Sequence, residues 1–313
     1  MRKTAIYFTH VAAALKPGFA LLCGHMIDER DEPTFTRFAR ASGDNDWAYV
    51  LGDLKQDLVY ALTSRPSPTA IGGTDFFALG RNGVLRVAAT GKEALDLSIP
   101  RKDRSGYLEG LCVTSDGALI VCGSQKEVLR YAGEQWQAID DGLYEPFDGQ
   151  NDSALFAIAE TAPGVLLAVG TRGLVVRRLG SQPWQTLDAP TNLDLHAVLP
   201  DGAGGAWIAG DGGTLYRLSA DAAQWHDHGD PDISTAGFDS LALHKGTLYV
   251  TAMNQLLQLP PGQTLQPVDG PFKPGSEFHS VSARGDYLWA TGDEHVYRLG
   301  PEGWQYFLCP DNA

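Results

Sequence analysis

One pattern returns along this chain: a short apolar run ending in Gly, a second run ending at Arg, then Trp. Leu119-Ile120-Val121-Cys122-Gly123 leads to Val128-Leu129-Arg130 and Trp136, and residues 166–170 lead to Val175-Val176-Arg177 and Trp184. Residues 206–210 lead to Arg217 and Trp225, and 287–292 lead to Arg298 and Trp304. A degenerate copy at 248–252 carries Gln258 and Leu265 in the places of Arg and Trp. Upstream, 76–80 leads to Arg86, and 19–24 leads, after an insertion, to Arg37 and Trp47. The anchors Gly24, Gly80, Gly123, Gly170, Gly210, Ala252 and Gly292 stand 40 to 56 residues apart. A period of about 40 to 47 residues with four short strands per period is the signature of a propeller blade. The expected fold is all-β: a seven-bladed β-propeller of four-stranded antiparallel blades, or six-bladed if the irregular first copy is an extension.

The fifth period shows how a blade is written. Residues 195–199, 206–209, 214–218 and 224–226 are β-rich runs, separated by Pro200-Asp201-Gly202, Asp211-Gly212-Gly213 and Ser219-Ala220-Asp221. The recurring Gly is expected to supply a positive φ for the turn into the third strand. No run long enough for a capped amphipathic helix stands out. The 36 Gly and 18 Pro are spread as turns, so the whole of 1–313 reads as a single domain without a linker. Met1-Arg2-Lys3 and the apolar stretch after it look superficially like a leader, but His10 and Lys16 interrupt them, and residues 5–9 are wanted as the first inner strand. No apolar stretch reaches the ~18 residues of a membrane span.

The core Gly-x-x-Gly-x-h-x-Arg (h, apolar), as in Gly170-Thr171-Arg172-Gly173-Leu174-Val175-Val176-Arg177 and in 210–217, resembles the blades of photosystem II assembly-factor propellers and of sensor-kinase ligand propellers. It is also similar to sialidase-type Asp-box repeats. The resemblance covers most of the chain at the level of fold. It implies a scaffold, and a scaffold hosts many functions. The Asp box Ser-x-Asp-x-Gly-x-Thr-Trp is missing from every blade, and the Arg residues belong to the repeat, so no sialidase arginine triad is recognisable.

Charge narrows the partners. The net charge of −14, from 24 basic and 38 acidic residues, opposes the phosphate neutralisation that nucleic-acid binding needs. It suits a basic partner, or simply solubility. Four cysteines, Cys23, Cys112, Cys122 and Cys309, are too few for a disulfide scaffold and read as reduced core thiols, which suits a cytoplasmic bacterial protein.

A residue present in every blade is needed by every blade, so Arg130, Arg177, Arg217 and Arg298 read as structural, and Trp136, Trp184, Trp225 and Trp304 as packing between blades. Function is sought where copies differ. The second position of the inner strand reads Tyr60, Glu109, Phe156, His196, Asp239 and His279, a ring facing the central channel that either lines a wet channel or serves acid-base chemistry. The insertion at 140–152 mixes Asp140, Asp141, Glu145, Asp148 and Asp152 with Tyr144 and Phe147, an aromatic anchor in an acidic rim and the favoured partner-binding site. The string Trp225-His226-Asp227-His228-Gly229-Asp230-Pro231-Asp232 lacks an obvious third ligand, and the acidic loops 28–32 and 44–46 lack a calcium-hand pattern, so no metal and no cofactor are expected.

Nucleophile elbow, phosphate loop, His-Glu-x-x-His, dinucleotide fingerprint and Cys-x-x-Cys are all absent, which turns the reading away from an enzyme. The expected function is a protein-binding propeller, an immunity-type or adaptor protein that occludes a partner such as a basic toxin through one loop face. Two alternatives stand beside it. One is a channel-centred hydrolase or lyase on a sugar or small metabolite using His196, Asp239 and His279. The other is an assembly factor.

Overall fold

A computed structural model describes residues 5–26, 34–43, 46–66, 74–89, 92–101 and 104–312. They form seven antiparallel sheets, each made from one contiguous stretch of chain with its strands in sequence order. The inner strands are Ile6–Ala13, Val59–Ser64, Leu108–Val113, Leu155–Ala162, Leu195–Pro200, Phe238–His244 and Ser280–Arg284. Each contacts the inner strands of both flanking blades, so the ring is closed. The count is seven, not six, because the irregular first copy is a blade in its own right. Its insertion, between Gly24 and Phe35, lies mostly outside the described residues, and the blade carries an extra strand, Leu54–Lys55, paired with Phe35–Ser42. The acidic stretch 28–32 and residues 44–45 lie outside the described residues, and Asp46 pairs with Arg40 at 2.6 Å.

No strand is exchanged to close the ring. Gly303–Phe307 completes the seventh blade and Ile6–Ala13 opens the first. Side chains fasten the seam instead. Asn312 accepts from the Ile6 N–H at 2.7 Å and donates to the Ile6 and Glu294 carbonyls at 3.0 Å. Ser280 and Ser282 accept the Val11 and Ala13 N–H groups at 3.1 and 3.0 Å.

The core lies between blades. In five clefts the outer-strand Trp of one blade packs on apolar residues shared with its neighbour: Trp136, Trp184, Trp225, Trp304 and Trp47. Leu265 fills the same place between the fifth and sixth blades. The repeated arginines bond acids and carbonyls as expected. Arg217 reaches Asp201 at 2.8 Å, Arg130 reaches Asp116 at 2.8 Å, and Arg177 donates to the Ala220 and Asp221 carbonyls of the next blade. Two copies shift. In blades three, four, five and seven the Arg pairs with the residue three before the Gly; in the first blade Arg40, opposite Leu21, holds that place, and Arg37 lies opposite Gly24. In the second blade Val87 holds it, opposite Phe77, and Arg86 turns into the cleft, where it grips Asp96 and the Leu51 and Gly52 carbonyls. Sequence spacing missed this because the two loops differ in length.

The role expected for the anchor glycines also needs correction. Gly170 and Gly210 have φ of −171° and −173°, which is extended backbone that any residue adopts. The positive φ falls on the residues that follow, such as Arg172, Gly173, Gly212, Gly213 and Asp293. The anchors are Gly for lack of room: a Cβ would lie 1.9 Å from the Ala154 carbonyl oxygen at Gly170, 2.1 Å from that of Asp194 at Gly210 and 2.0 Å from that of Tyr7 at Gly24. That carbonyl is already used by the next residue, as in Thr171 N–H to Ala154 O at 3.1 Å.

The thiols stay free: Cys112 lies opposite Ile120 and Cys122 opposite Gly110, so they do not face each other. Gly210→Ala is expected to lower unfolding free energy by about 1–3 kcal/mol through overpacking. Gly43→Ala, where nothing lies within 4 Å, should change little. Denaturant midpoints of the two variants check this.

Candidate binding face around the channel mouth

Opposite the anchor glycines the inner strands gain one residue. Register shifts fall between Phe8 and His10, Val59 and Ala61, Leu108 and Gly110, Leu155 and Ala157, and Leu195 and Ala197. The extra residues are Thr9, Tyr60, Glu109, Phe156 and His196. Asp239 lies in the corresponding shift between Phe238 and Leu241. A bulge re-aims the side chain it frees. The positions read from sequence as the channel ring are therefore mostly bulge residues, and all six line one cavity of about 570 Å³ together with Thr9, Tyr7 and His10. The first blade was given no place in the expected ring, and its strand, expected over 5–9, runs on through His10 to Ala13.

Partners differ around the ring. His196 Nε2 lies 2.9 Å from Asp211 and its ring stacks on Phe156 at 5.4 Å. His279 Nε2 lies 2.5 Å from the Tyr7 hydroxyl and 3.3 Å from Glu277. Arg81 donates to the Tyr60 hydroxyl at 3.4 Å and sits 4.8 Å from the Tyr107 ring centroid. His10 donates from Nε2 to the Tyr60 carbonyl at 3.0 Å, and burial pushes it down to about 4, so it is neutral. Burial pushes Glu109 up to about 7 against the opposing pull of Arg81. Asp239, exposed by area yet set inside the ring, is raised by the same loss of water, with His196 and His279 opposing.

Strands run in sequence order within each antiparallel blade, so second-to-third turns and inter-blade loops open on the same face as this mouth. Of six large apolar side chains exposed among the described residues, four lie on that face: Tyr107, Phe147, Leu193 and Met253, the first, second and fourth at 43%, 58% and 60% exposure. Sequence reasoning found Phe147 alone, because Tyr107, Leu193 and Met253 sit singly in loops of ordinary length.

The insertion at 140–152 divides in two. Asp140 is 3% exposed, so it is no part of an acidic rim. Arg104 donates to its carboxylate at 2.5 and 3.2 Å and the Val128 N–H at 2.9 Å, beside fully buried Glu127, which Arg101 grips at 2.7 Å. This ionic knot fixes the base of the loop. Tyr144 is half-buried with the Arg104 guanidinium 4.2 Å from its ring centroid, and it too belongs mostly to the base. Phe147, Asp141, Glu145, Asp148 and Asp152 are exposed. Glu145 pairs with Lys126 at 2.6 Å and Asp152 with Arg172 at 2.7 Å. Asp148 accepts the Gln150 and Asn151 N–H groups, which lower its carboxyl. In the His226-Asp227-His228 string, the His228 ring packs tilted against Trp207, centroids 4.9 Å apart. Among the described residues no three His, Cys, Asp or Glu are grouped to hold a metal, and no helix is long and apolar enough to cross a membrane.

Fold and face together define a seven-bladed β-propeller with exposed apolar and acidic side chains on the loop face around an open channel mouth. Over 201 residues the chain is similar to Immune protein Tsi7 of Pseudomonas aeruginosa, at 29% identity. The match covers 64% of this chain and 63% of that relative, so less than two thirds of either is spanned. No family model matches. Among solved structures, YCF48 bound to D1 peptide superposes at a TM-score of 0.67 with 15% identity, covering 98% of this chain and 94% of that one. The WD40 repeats of RRP9 give 0.60 at 15% identity over 81% and 80%, and the computationally designed Ika8 protein 0.61 at 13% over 99% and 88%. These likenesses establish the fold.

The raised Glu109 sets a pH dependence. The folded protein keeps this proton above the ordinary value of 4.5, so its stabilising effect is fully present below that value and is lost as pH rises through about 7. Glu109→Gln should therefore gain stability relative to the parent between about pH 5 and pH 8. Paired thermal melts across that range check the sign.

Proposed function

We propose that this chain is an immunity-type protein of the bacterial cytoplasm, which binds a toxin protein through the loop face and occludes it. The similarity to Immune protein Tsi7 carries the reading. The loop face supports it with exposed Phe147, Tyr107, Leu193 and Met253 edged by Asp141 and Asp148. Apolar anchors in a polar rim are the usual anatomy of a binding patch. A net charge of −14 favours encounter with a basic toxin and disfavours nucleic acid. Within the insertion, Phe147 is the anchor, with Tyr144 and Asp140 holding the loop in shape.

The test is protection. Cells carrying a toxin encoded beside this chain should survive with it and die without it, and a strain lacking it that withstands the toxin equally well would overturn the proposal. Phe147→Asp should weaken the complex by about 2 kcal/mol or more, while His196→Ala and His279→Ala leave it intact, as titration calorimetry would show.

The raised Glu109 and Asp239 in one cavity favour a second reading, a channel-centred enzyme. It predicts the reverse, with Phe147→Asp harmless and the channel variants damaging.

A further inference from the structure

Two clefts lack the outer-strand indole: Leu265 fills the place between the fifth and sixth blades, and the cleft between the first and second blades is the other. In the third blade the residue four before the Gly, Leu119, pairs with Tyr131, which pairs with Trp136. The same ladder gives Leu218 and Trp225 in the fifth blade, Leu299 and Trp304 in the seventh, and Ala41 and Trp47 in the first. In the second blade Phe76 pairs with Ala88, but the outer strand begins at Leu95, opposite Val87, and the next residue in line is Ala94. The cluster between the first and second blades accordingly holds no Trp.

Phe76 and Ala88 instead face a cavity of about 420 Å³, within the range of small-molecule sites. Its walls are apolar, with Phe19, Leu21, Val50 and Leu51 contributed by the first blade. Among the described residues its polar side chains are Lys16, Arg40 and Lys92, with no carboxylate in the lining, in a chain of net charge −14. Arg40 is paired with exposed Asp46, and Lys16 lies 3.9 Å over the Phe19 ring. Lys16 and Lys92 make no ion pair among the described residues. An apolar space where the repeat stores a flat ring, with Lys16 and Lys92 at its edge and free of ion pairs among the described residues, asks for a flat apolar body bearing negative charge.

We propose that this cleft binds a small aromatic carboxylate, its ring in the place of the missing indole and its carboxylate toward Lys16, Lys92 and Arg40. The site lies on the opposite face from the channel mouth and stands apart from partner binding.

Titration calorimetry of the full chain with indole-3-acetate and with neutral indole-3-acetamide tests it. The acid should bind saturably below about 1 mM and the amide at least about tenfold more weakly. Ala94→Trp should abolish binding and raise the melting temperature by filling the void. The charge reversal Lys16→Glu with Lys92→Glu, on exposed side chains, should weaken the acid about tenfold or more without changing the melt. No saturation by the acid, equal affinity for the amide, or unchanged binding in the lysine double variant would overturn the proposal.

Discussion

The close approach of an anchor glycine to the carbonyl that opens its own blade's inner strand is the contact on which the rest depends. A Cβ there would sit about 2 Å from that oxygen in the first, third, fourth and fifth blades. Because the space is free, the inner strand can take an extra residue and bulge. The carbonyl is met by the N–H that follows the glycine, and the turn beyond reaches the next blade. Backbone bonds cross six of the seven joints in this way, from Leu108 to Arg81, Gln125 to Ser153, Gly173 to Leu193, Gly213 to Ala236, Phe278 to Met253 and Phe8 to Asp293, at 2.7 to 2.9 Å. The remaining joint follows the irregular first blade and uses Gln56 N–H to Thr34 O and Val59 N–H to Thr36 Oγ1, both at 3.0 Å. In the blades that carry both the glycine and the bulge, the missing side chain makes room for the residue that faces the channel; the sixth blade bulges at Asp239 with Ala252 in the anchor's place.

This arrangement separates stability from recognition. The apolar cores lie between the sheets and are capped by outer-strand indoles in five of the seven clefts, so residues on the loop face are relieved of packing duty and can differ from blade to blade. The insertion at 140–152 shows both duties in one segment. Asp140 and Tyr144 are tied to Arg104 and hold the loop, whereas Phe147 projects from it.

Blade count, strand order and the channel ring were legible in the sequence because they are periodic, and periodicity survives the loss of Gly, Arg and Trp at Ala252, Gln258 and Leu265. Geometry that depends on loop length was not. Arg37 and Arg86 follow the order of the repeat yet sit off its register, and only the pairing of Leu21 with Arg40 and of Phe77 with Val87 shows it. The anchor glycines were legible as glycines, but their reason was not, since a tight turn and a close contact between strands leave the same mark in a sequence. Asp140 reads as a surface acid until Arg104, 36 residues upstream, is placed beside it. Tyr107, Leu193 and Met253 carry no local signal, because only the fold brings them to one face.

Hydrogen–deuterium exchange on the chain alone and in complex with the proposed toxin partner addresses the central claim most directly. Binding through the loop face predicts added protection in 140–152 and in the turns around 81–83, 124–127, 171–173, 211–213 and 253–254, with the opposite face unchanged. Protection confined instead to the turns at 115–117, 201–205 and 245–246 would contradict it.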